Sequence, residues 1–175
     1  MSPKRTDRPK VLIACVGNIL RSDDGVGPRV AEILEGHDLP EGVDVLDFGI
    51  GGVHLVQTLL TGEYGALVLV DCADRGRDPG TVMVIQPDVL DVAELEGIAK
   101  YDYLADMHYT NPERAMALAR ALGVLPERTL LLGIQPMDAE KLGRDLTPEI
   151  EVAAHVAAEE ALRLSIEMLG VGHDE

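Results

Sequence analysis

Residues 66–70 constrain the fold most, because they read Ala-Leu-Val-Leu-Val with no polar residue. A strand that is apolar on both faces must be covered on both sides, as the central strands of parallel α/β sheets are. The next apolar run, at residues 81–85, follows after a connection of nine residues. A helical crossover between parallel strands needs about a dozen residues or more. We therefore predict a mixed sheet, in which the strand at 81–85 runs antiparallel to the strand at 66–70.

Strands and helices alternate along the rest of the chain. Apolar runs bounded by turn residues predict three further strands, at residues 11–16, 43–48 and 129–133. Helical spacing of apolar residues predicts helices at 25–35, 53–60, 110–122 and 148–169, with a short one at 89–95. In the third long helix we expect Ala115, Leu118, Ala119 and Leu122 to form the buried stripe. The pattern predicts one α/β domain over residues 10–169, with flexible tails at 1–9 and 170–175.

Charge and composition exclude several function classes. The chain of 175 residues carries a net charge of −16, which disfavours a nucleic-acid partner. It has no apolar run of the length that a membrane span requires, so we expect no membrane partner. The basic opening segment lacks the apolar core of a signal peptide. Cys15 and Cys72 lack the spacing of a zinc or redox motif, and we expect a reducing, cytoplasmic location.

The segment at residues 11–27, VLIACVGNILRSDDGVG, carries two carboxylates from a strand to the start of a helix. In open α/β sheets, ligands bind outside the carboxyl ends of the strands. Ser22, Asp23 and Asp24 are also residue types that cap helix N-termini. Capping and a role in a binding site therefore both remain open for these three residues, and one of them can cap while its neighbour faces the site.

Three titratable residues are expected at the carboxyl edge of the sheet. Asp24 follows the first strand, Asp71 ends the third, and His108 precedes a helix. Two carboxylates and an imidazole can bind a divalent transition metal ion, and the same set can hold and deprotonate a water molecule. Such residues at strand ends also commonly cap helices or face solvent.

The other titratable and glycine-rich features have simpler interpretations. His54, beside a glycine pair, is a second candidate for the same cleft. His37, His155 and His173 are expected at the surface, and Cys15 in the core. The chain has no GxGxxG, P-loop or HExxH motif, so the usual signals of dinucleotide, nucleotide and zinc-protease sites are missing.

The segment Val16-Gly17-Asn18-Ile19-Leu20-Arg21-Ser22-Asp23-Asp24-Gly25-Val26-Gly27 resembles the opening of the hydrogenase maturation proteases. These endopeptidases trim the C-terminal extension from the large subunit of nickel–iron hydrogenases. The resemblance extends in the family's order from residue 10 to about 169. It continues through Asp47-Phe48-Gly49, Gly51-Gly52, Leu69-Val70-Asp71-Cys72-Ala73, Pro79-Gly80-Thr81, His108, Gly133-Ile134-Gln135-Pro136 and Leu146-Thr147-Pro148.

The resemblance implies a fold, a site and a substrate. The fold is a three-layer α/β/α sandwich with a five-stranded mixed sheet in the order 2-1-3-5-4. The metal-binding and catalytic residues are Asp24, where some members have glutamate, Asp71 and His108. The metal is nickel already inserted into the precursor, which serves as the recognition mark, and no organic cofactor is implied. Cleavage follows one of two routes: the metal polarises the water or the peptide carbonyl, or an aspartate acts as base on the water.

Two other functions remain open from the sequence. The chain could be a nickel-binding checkpoint that recognises the precursor without cutting it. It could also be a flavodoxin-like or nucleotide-binding module whose acidic loops hold Mg²⁺.

Overall fold

The computed structural model describes residues 10–97 and 112–170. Its centre is a five-stranded sheet in the order β2-β1-β3-β5-β4. The strands are β1 (Lys10–Val16), β2 (Val43–Gly49), β3 (Tyr64–Cys72), β4 (Val82–Ile85) and β5 (Arg128–Ile134). The α-helices of the described chain are α1 (Val26–Glu35), α2 (Gly52–Thr61), α3 (Pro112–Ala121) and α4 (Pro148–Gly170). Short 3₁₀ turns occupy Ser22–Gly25 and Val92–Glu94.

The direction of β4 confirms the prediction from the short connection. The pairs β1–β2, β1–β3 and β3–β5 are parallel, whereas β4 pairs antiparallel with β5. Residues 73–81 join β3 to β4 without a helix. The chain therefore reverses at this edge of the sheet, and the strand order agrees with the one implied by the family resemblance.

The helices cover both faces of the sheet, which gives the expected three layers. Alternate residues of β3 point to opposite sides, so Val68 packs in one core and Leu67 in the other. The first core lies beneath α1 and α4, and the second lies beneath α2 and α3. Both strands at the centre, β1 and β3, are buried along most of their length, as the apolar sequence of residues 66–70 predicts.

Gly27 allows α1 to start unusually close to the end of β1. A Cβ at Gly27 would lie 2.0 Å from the carbonyl oxygen of Val16. Gly17 makes the turn out of β1 with φ +151°, and a Cβ there would lie 2.1 Å from the carbonyl oxygen of Asp24. The two glycines thus bring the loop that carries Asp24 back against the end of the strand.

Three local predictions differ from the structure. Only Val92–Glu94 is helical in the segment where we expected a helix over 89–95. Leu122 is exposed and does not extend the buried stripe of α3, because the helix ends at Ala121 and the chain turns at Gly123 with φ +71°. Helix α4 continues through Gly170, into the predicted tail.

Residues 1–9 and 171–175 of the predicted tails lie outside the described residues, as do His108, His173 and the first two residues of the helix predicted at 110–122. None of the helices in the described ranges has the length and apolarity to cross a membrane.

Candidate active site

Asp24 is held at the carboxyl end of β1 by the local backbone. It lies in the 3₁₀ turn Ser22–Gly25, directly before α1. One oxygen of its carboxylate, Oδ2, accepts a hydrogen bond of 3.1 Å from the backbone N–H of Asn18. Its side chain is half-buried, and this burial raises the pKa of Asp24 above its ordinary value. Asp24 therefore has a fixed backbone contact and an incompletely solvated carboxylate.

Asp71 lies near the end of β3, in the strand beside β1. Its Oδ1 accepts a hydrogen bond of 2.8 Å from the backbone N–H of Cys72. Burial first, and then the negative charge of Asp24, raise the pKa of Asp71 to about 7. The coupling follows from the sheet: β1 and β3 are parallel neighbours, and Cys15 is paired with Val70 directly before this edge. The structure thus brings the two predicted aspartates together.

A cleft of about 340 Å³ opens beside Asp71. The start of α3 forms its opposite wall through Pro112 and Glu113, and the Glu113 charge also raises the pKa of Asp71. A larger cleft of about 620 Å³ is bordered by Ile19, Arg29 and Arg144 and is lined by neither Asp24 nor Asp71. The smaller cleft is the better candidate for chemistry, because a carboxyl group with a strongly perturbed pKa faces it.

The predicted histidine, His108, lies outside the described residues, so the structure gives no position for its ring. The described chain resumes at Pro112, four residues later, in the wall of the Asp71 cleft. Among the described residues, no group of three histidine, cysteine, aspartate or glutamate side chains is arranged to hold a metal ion. The two aspartates alone do not complete a three-ligand site.

His54 is exposed in the first turn of α2, close to the backbone of Gly51. Within residues 10–97 and 112–170, no hydrogen bond or ion pair joins it to Asp24 or Asp71. His37 lies at the surface beside the carbonyl of Ile33, and His155 lies at the surface beside Glu151. The surface positions predicted for His37 and His155 are confirmed.

Neither cysteine has the character of a nucleophile. Cys15 is fully buried in the core, as predicted. Cys72 adjoins Asp71, and burial together with the charges of Asp24 and Asp71 raises the pKa of its thiol to about 12. A thiol with such a pKa is protonated at neutral pH and is a weak nucleophile and metal ligand.

Asp23 is the structural residue that the sequence did not reveal. It is completely buried, and its carboxylate accepts hydrogen bonds from the backbone N–H groups of Met137, Asp138 and Thr147 at 2.7–3.0 Å. The Thr147 hydroxyl also donates to it. Asp23 therefore ties the loop before α1 to the loop before α4. In the sequence, Asp23 is one of two adjacent aspartates, and adjacency alone does not distinguish their roles.

Helix capping by Ser22, Asp23 or Asp24 is not observed. The 3₁₀ turn and α1 are preceded by Arg21 and Gly25 as cap residues, and neither cap has a side-chain hydrogen bond. The hydroxyl of Ser22 donates to the carbonyl of Asp145, across the interface between the two loops. Ser22 and Asp23 instead bond to residues more than a hundred positions away along the chain, whereas Asp24 bonds to the nearby Asn18.

Gln135, in the Gly-Ile-Gln-Pro motif, organises the loop after Asp71. Its Oε1 accepts hydrogen bonds from the backbone N–H groups of Arg75 and Arg77, and its Nε2 donates to Asp74 at 2.9 Å. This contact lowers the pKa of Asp74. Because Gln135 is buried and directly follows β5, it anchors the rim of the Asp71 cleft to the sheet.

Comparisons with known proteins agree with this fold. Residues 28–164 match the family model described as hydrogenase maturation protease. The chain is 34% identical over 157 residues to the hydrogenase expression/formation protein HupD of Rhizobium leguminosarum bv. viciae, covering 89% of this chain and 74% of HupD.

Two solved structures are also similar. The hydrogenase maturating endopeptidase HybD from E. coli superposes with a TM-score of 0.70 at 24% identity, covering 91% of this chain and 93% of HybD. A hydrogenase 2 maturation peptidase from a Thaumarchaeota archaeon has a TM-score of 0.61 at 31% identity, with coverage of 89% and 97%. The HybD likeness supports the fold. With the family model and HupD, the comparisons show that this chain is a peptidase of the hydrogenase maturation protease family.

Proposed function

We propose that this peptidase acts in the cytoplasm and removes the C-terminal extension of a nickel–iron hydrogenase large-subunit precursor, and that nickel in the precursor is its recognition mark. The observation that carries the proposal is the coupled pair Asp24 and Asp71 at one edge of the sheet, in a chain of this family. Nickel binds carboxylate and imidazole ligands. His108 is proposed as the third ligand, since the described chain resumes beside the cleft four residues after it.

In this proposal the metal arrives with the substrate. Three ligands from the peptidase leave coordination positions that groups of the precursor can occupy. The engaged nickel would hold the precursor so that the peptide to be cut lies beside Asp24 and Asp71. The attacking water is activated either by the engaged nickel or by an aspartate that accepts its proton.

The test is the mass of a hydrogenase large-subunit precursor before and after incubation with the purified chain. Nickel-loaded precursor should lose a C-terminal peptide, and nickel-free precursor should not. The variants Asp24→Asn, Asp71→Asn and His108→Ala should each lower the cleavage rate by at least about a hundredfold while circular dichroism shows an unchanged fold.

His155→Ala is the matched control for His108→Ala, because His155 lies on the outer surface of α4. Equal cleavage of the loaded and nickel-free precursors would disprove nickel recognition. A fully active His108→Ala would make His54→Ala the next variant to test. Tight binding of the loaded precursor without any loss of mass would instead establish the checkpoint function, and stabilisation by a nucleotide alone would favour the nucleotide-binding module.

A further inference from the structure

Two loops at the carboxyl edge of the sheet are joined along their backbones. The loop after β1 carries Leu20, whose carbonyl accepts a hydrogen bond of 3.0 Å from the N–H of Gly143. The carbonyl of Gly143 in turn accepts one of 2.9 Å from the N–H of Ser22. These bonds form an isolated parallel bridge between Arg21 and Gly143. The loops after β1 and after β5 therefore form one surface.

The buried carboxylate of Asp23 sets the shape of this surface. Its bonds to the N–H groups of Met137, Asp138 and Thr147 fix both ends of the loop after β5. Hydrogen bonds to an ionised acceptor are stronger than those between neutral groups. The surface is consequently ordered before any partner binds, which reduces the entropy lost on association.

Four large apolar side chains project from this ordered surface into solvent. Their exposed fractions lie between 47% and 79%, and together they form what we call the docking face: Ile19, Leu20, Met137 and Leu142. Single exposed apolar residues are common on proteins, but a group of them on ordered neighbouring loops indicates an interaction surface. The docking face is apolar, so it fits an apolar surface on a folded protein.

The position of the docking face identifies its partner. Asp24 lies four residues after Leu20, and the charges of Arg21 and Glu140, which neighbour docking-face residues in sequence, act on the Asp24 carboxylate. A protein whose nickel binds Asp24 must also contact the surface beside Asp24. We propose that the docking face binds an apolar surface of the hydrogenase large-subunit precursor, and that Asp23 is the positioning residue that holds this face beside Asp24. This inference rests on the proposed function.

The first test compares two double variants by the kinetics of precursor cleavage. Leu20→Ser with Leu142→Ser should raise KM by about tenfold and leave kcat within about twofold, because the apolar contacts are formed before the chemical step. Leu60→Ser with Leu122→Ser is the control: Leu60 and Leu122 are 52% and 50% exposed, compared with 55% for Leu20 and 79% for Leu142. Leu60 lies in the last turn of α2, and Leu122 directly follows α3. Each therefore lies near the start of the next strand, β3 or β5, at the opposite edge of the sheet. The control should leave KM unchanged, and Leu20→Met with Leu142→Met should preserve binding.

The second measurement is binding of the same variants to immobilised precursor, which does not depend on cleavage. If the wild type cuts the precursor and both double variants share its KM, the docking face is disproved while the function stands. If the wild type binds without cutting and only the docking-face variant loses binding, the docking face is supported and the proteolytic function fails. If the wild type neither cuts nor binds the precursor, the proteolytic function and the docking face are both contradicted.

The third test addresses Asp23 through a double-mutant cycle. Asp23→Asn should speed amide hydrogen exchange at residues 137, 138 and 147 and raise KM. Combined with Leu142→Ser, it should raise KM by less than the product of the single effects, because both changes act on the same face. A purely structural role would give independent effects on KM. Thr147→Val, which removes one hydroxyl donor to Asp23, provides a milder variant if Asp23→Asn does not fold.

Discussion

Asp23 and Asp24 show how two adjacent, identical side chains acquire different roles. Asp23 is fully buried, and three backbone N–H groups and a hydroxyl surround its carboxylate. Asp24 is half-buried and has one backbone donor, the N–H of Asn18. A carboxylate with several donors is committed to structure, whereas one with few donors remains available to bind a cation. The second description also fits Asp71, which accepts one backbone hydrogen bond.

The raised pKa of Asp71 predicts a gain in stability when its charge is removed. The folded-state pKa of about 7 exceeds the ordinary value of 3.8, so the folded chain holds this proton more tightly. Protonation of Asp71 therefore stabilises the folded state fully below the ordinary pKa of 3.8, and this stabilisation is lost as pH rises through about 7. Asp71→Asn should therefore be more stable than the wild type by about 1–2 kcal/mol at pH 8, and by much less at pH 5. Urea unfolding at the two pH values measures the difference.

Asp74→Asn is the control for this prediction, because the Asp74 pKa is lowered through its hydrogen bond with Gln135. The Asp74 contribution is present above the ordinary pKa and is lost as pH falls, so Asp74→Asn should reduce stability at pH 8. If Asp71→Asn reduced stability at both pH values, the raised pKa inferred for Asp71 would be contradicted. Gain of stability with loss of activity is the expected result for a residue retained for function.

At the scale of elements, the contact between β1 and α1 determines where the Asp24 loop lies. Strand β1 is buried along nearly all its length, and α1 packs in the same core. Its connection to α1 can return so tightly only because Gly17 and Gly27 lack a Cβ. Asp23 then links this connection to the start of α4. The site is therefore held by a strand and two helices.

Gly27→Ala is predicted to destabilise the chain strongly. Alanine is normally the better helix former, but its Cβ would lie 2.0 Å from the carbonyl oxygen of Val16 and would force α1 away from β1. We expect a loss of about 3 kcal/mol in the free energy of unfolding. Gly36→Ala, at the other end of α1, is the matched control, because its Cβ would meet the nearest atom at 3.4 Å with φ at −82°. That control should change stability by no more than about 1 kcal/mol.

Both glycine variants can be compared by urea denaturation and by the near-ultraviolet circular dichroism of the folded state. Similar unfolding free energies for Gly27→Ala and Gly36→Ala would show that α1 can shift at little cost. The Asp24 loop would then be less firmly held than the backbone contact implies.

For the whole molecule, we expect the net charge of −16 to affect stability more than any single exposed ion pair does. The ion pairs of the described chain lie mostly at the surface, such as Arg29–Glu151 and Arg163–Glu160, and exposed pairs contribute little. Repulsion among the excess carboxylates opposes the compact state, and salt screens it. We therefore predict that raising NaCl from 10 mM to 0.5 M increases the free energy of unfolding by about 1 kcal/mol.

Thermal unfolding in NaCl and in choline chloride at equal ionic strength tests this prediction. The same increase in both salts indicates screening, whereas an increase confined to sodium would indicate a specific cation site. A decrease in stability with salt would show that the surface ion pairs outweigh the repulsion.

The sequence by itself determined the sheet, its mixed direction and the edge at which Asp24 and Asp71 meet. These properties follow from short-range patterns: an all-apolar strand must be central, and a connection of nine residues cannot contain a helical crossover. The register then brings the ends of β1 and β3 side by side. The resemblance to the maturation proteases added the strand order, which the structure also has.

Only the tertiary structure decided which acid serves the fold and which one faces the site. The donors that surround Asp23 come from residues 137, 138 and 147, more than a hundred positions away along the chain. The backbone groups that donate to the Gln135 amide oxygen, at residues 75 and 77, lie 60 and 58 positions away. The raised pKa of Asp71 likewise depends on its burial and on the charge of Asp24, which follows the neighbouring strand β1. Burial and long-range hydrogen bonds arise only when the chain is packed, so neighbouring residues in the sequence do not indicate them.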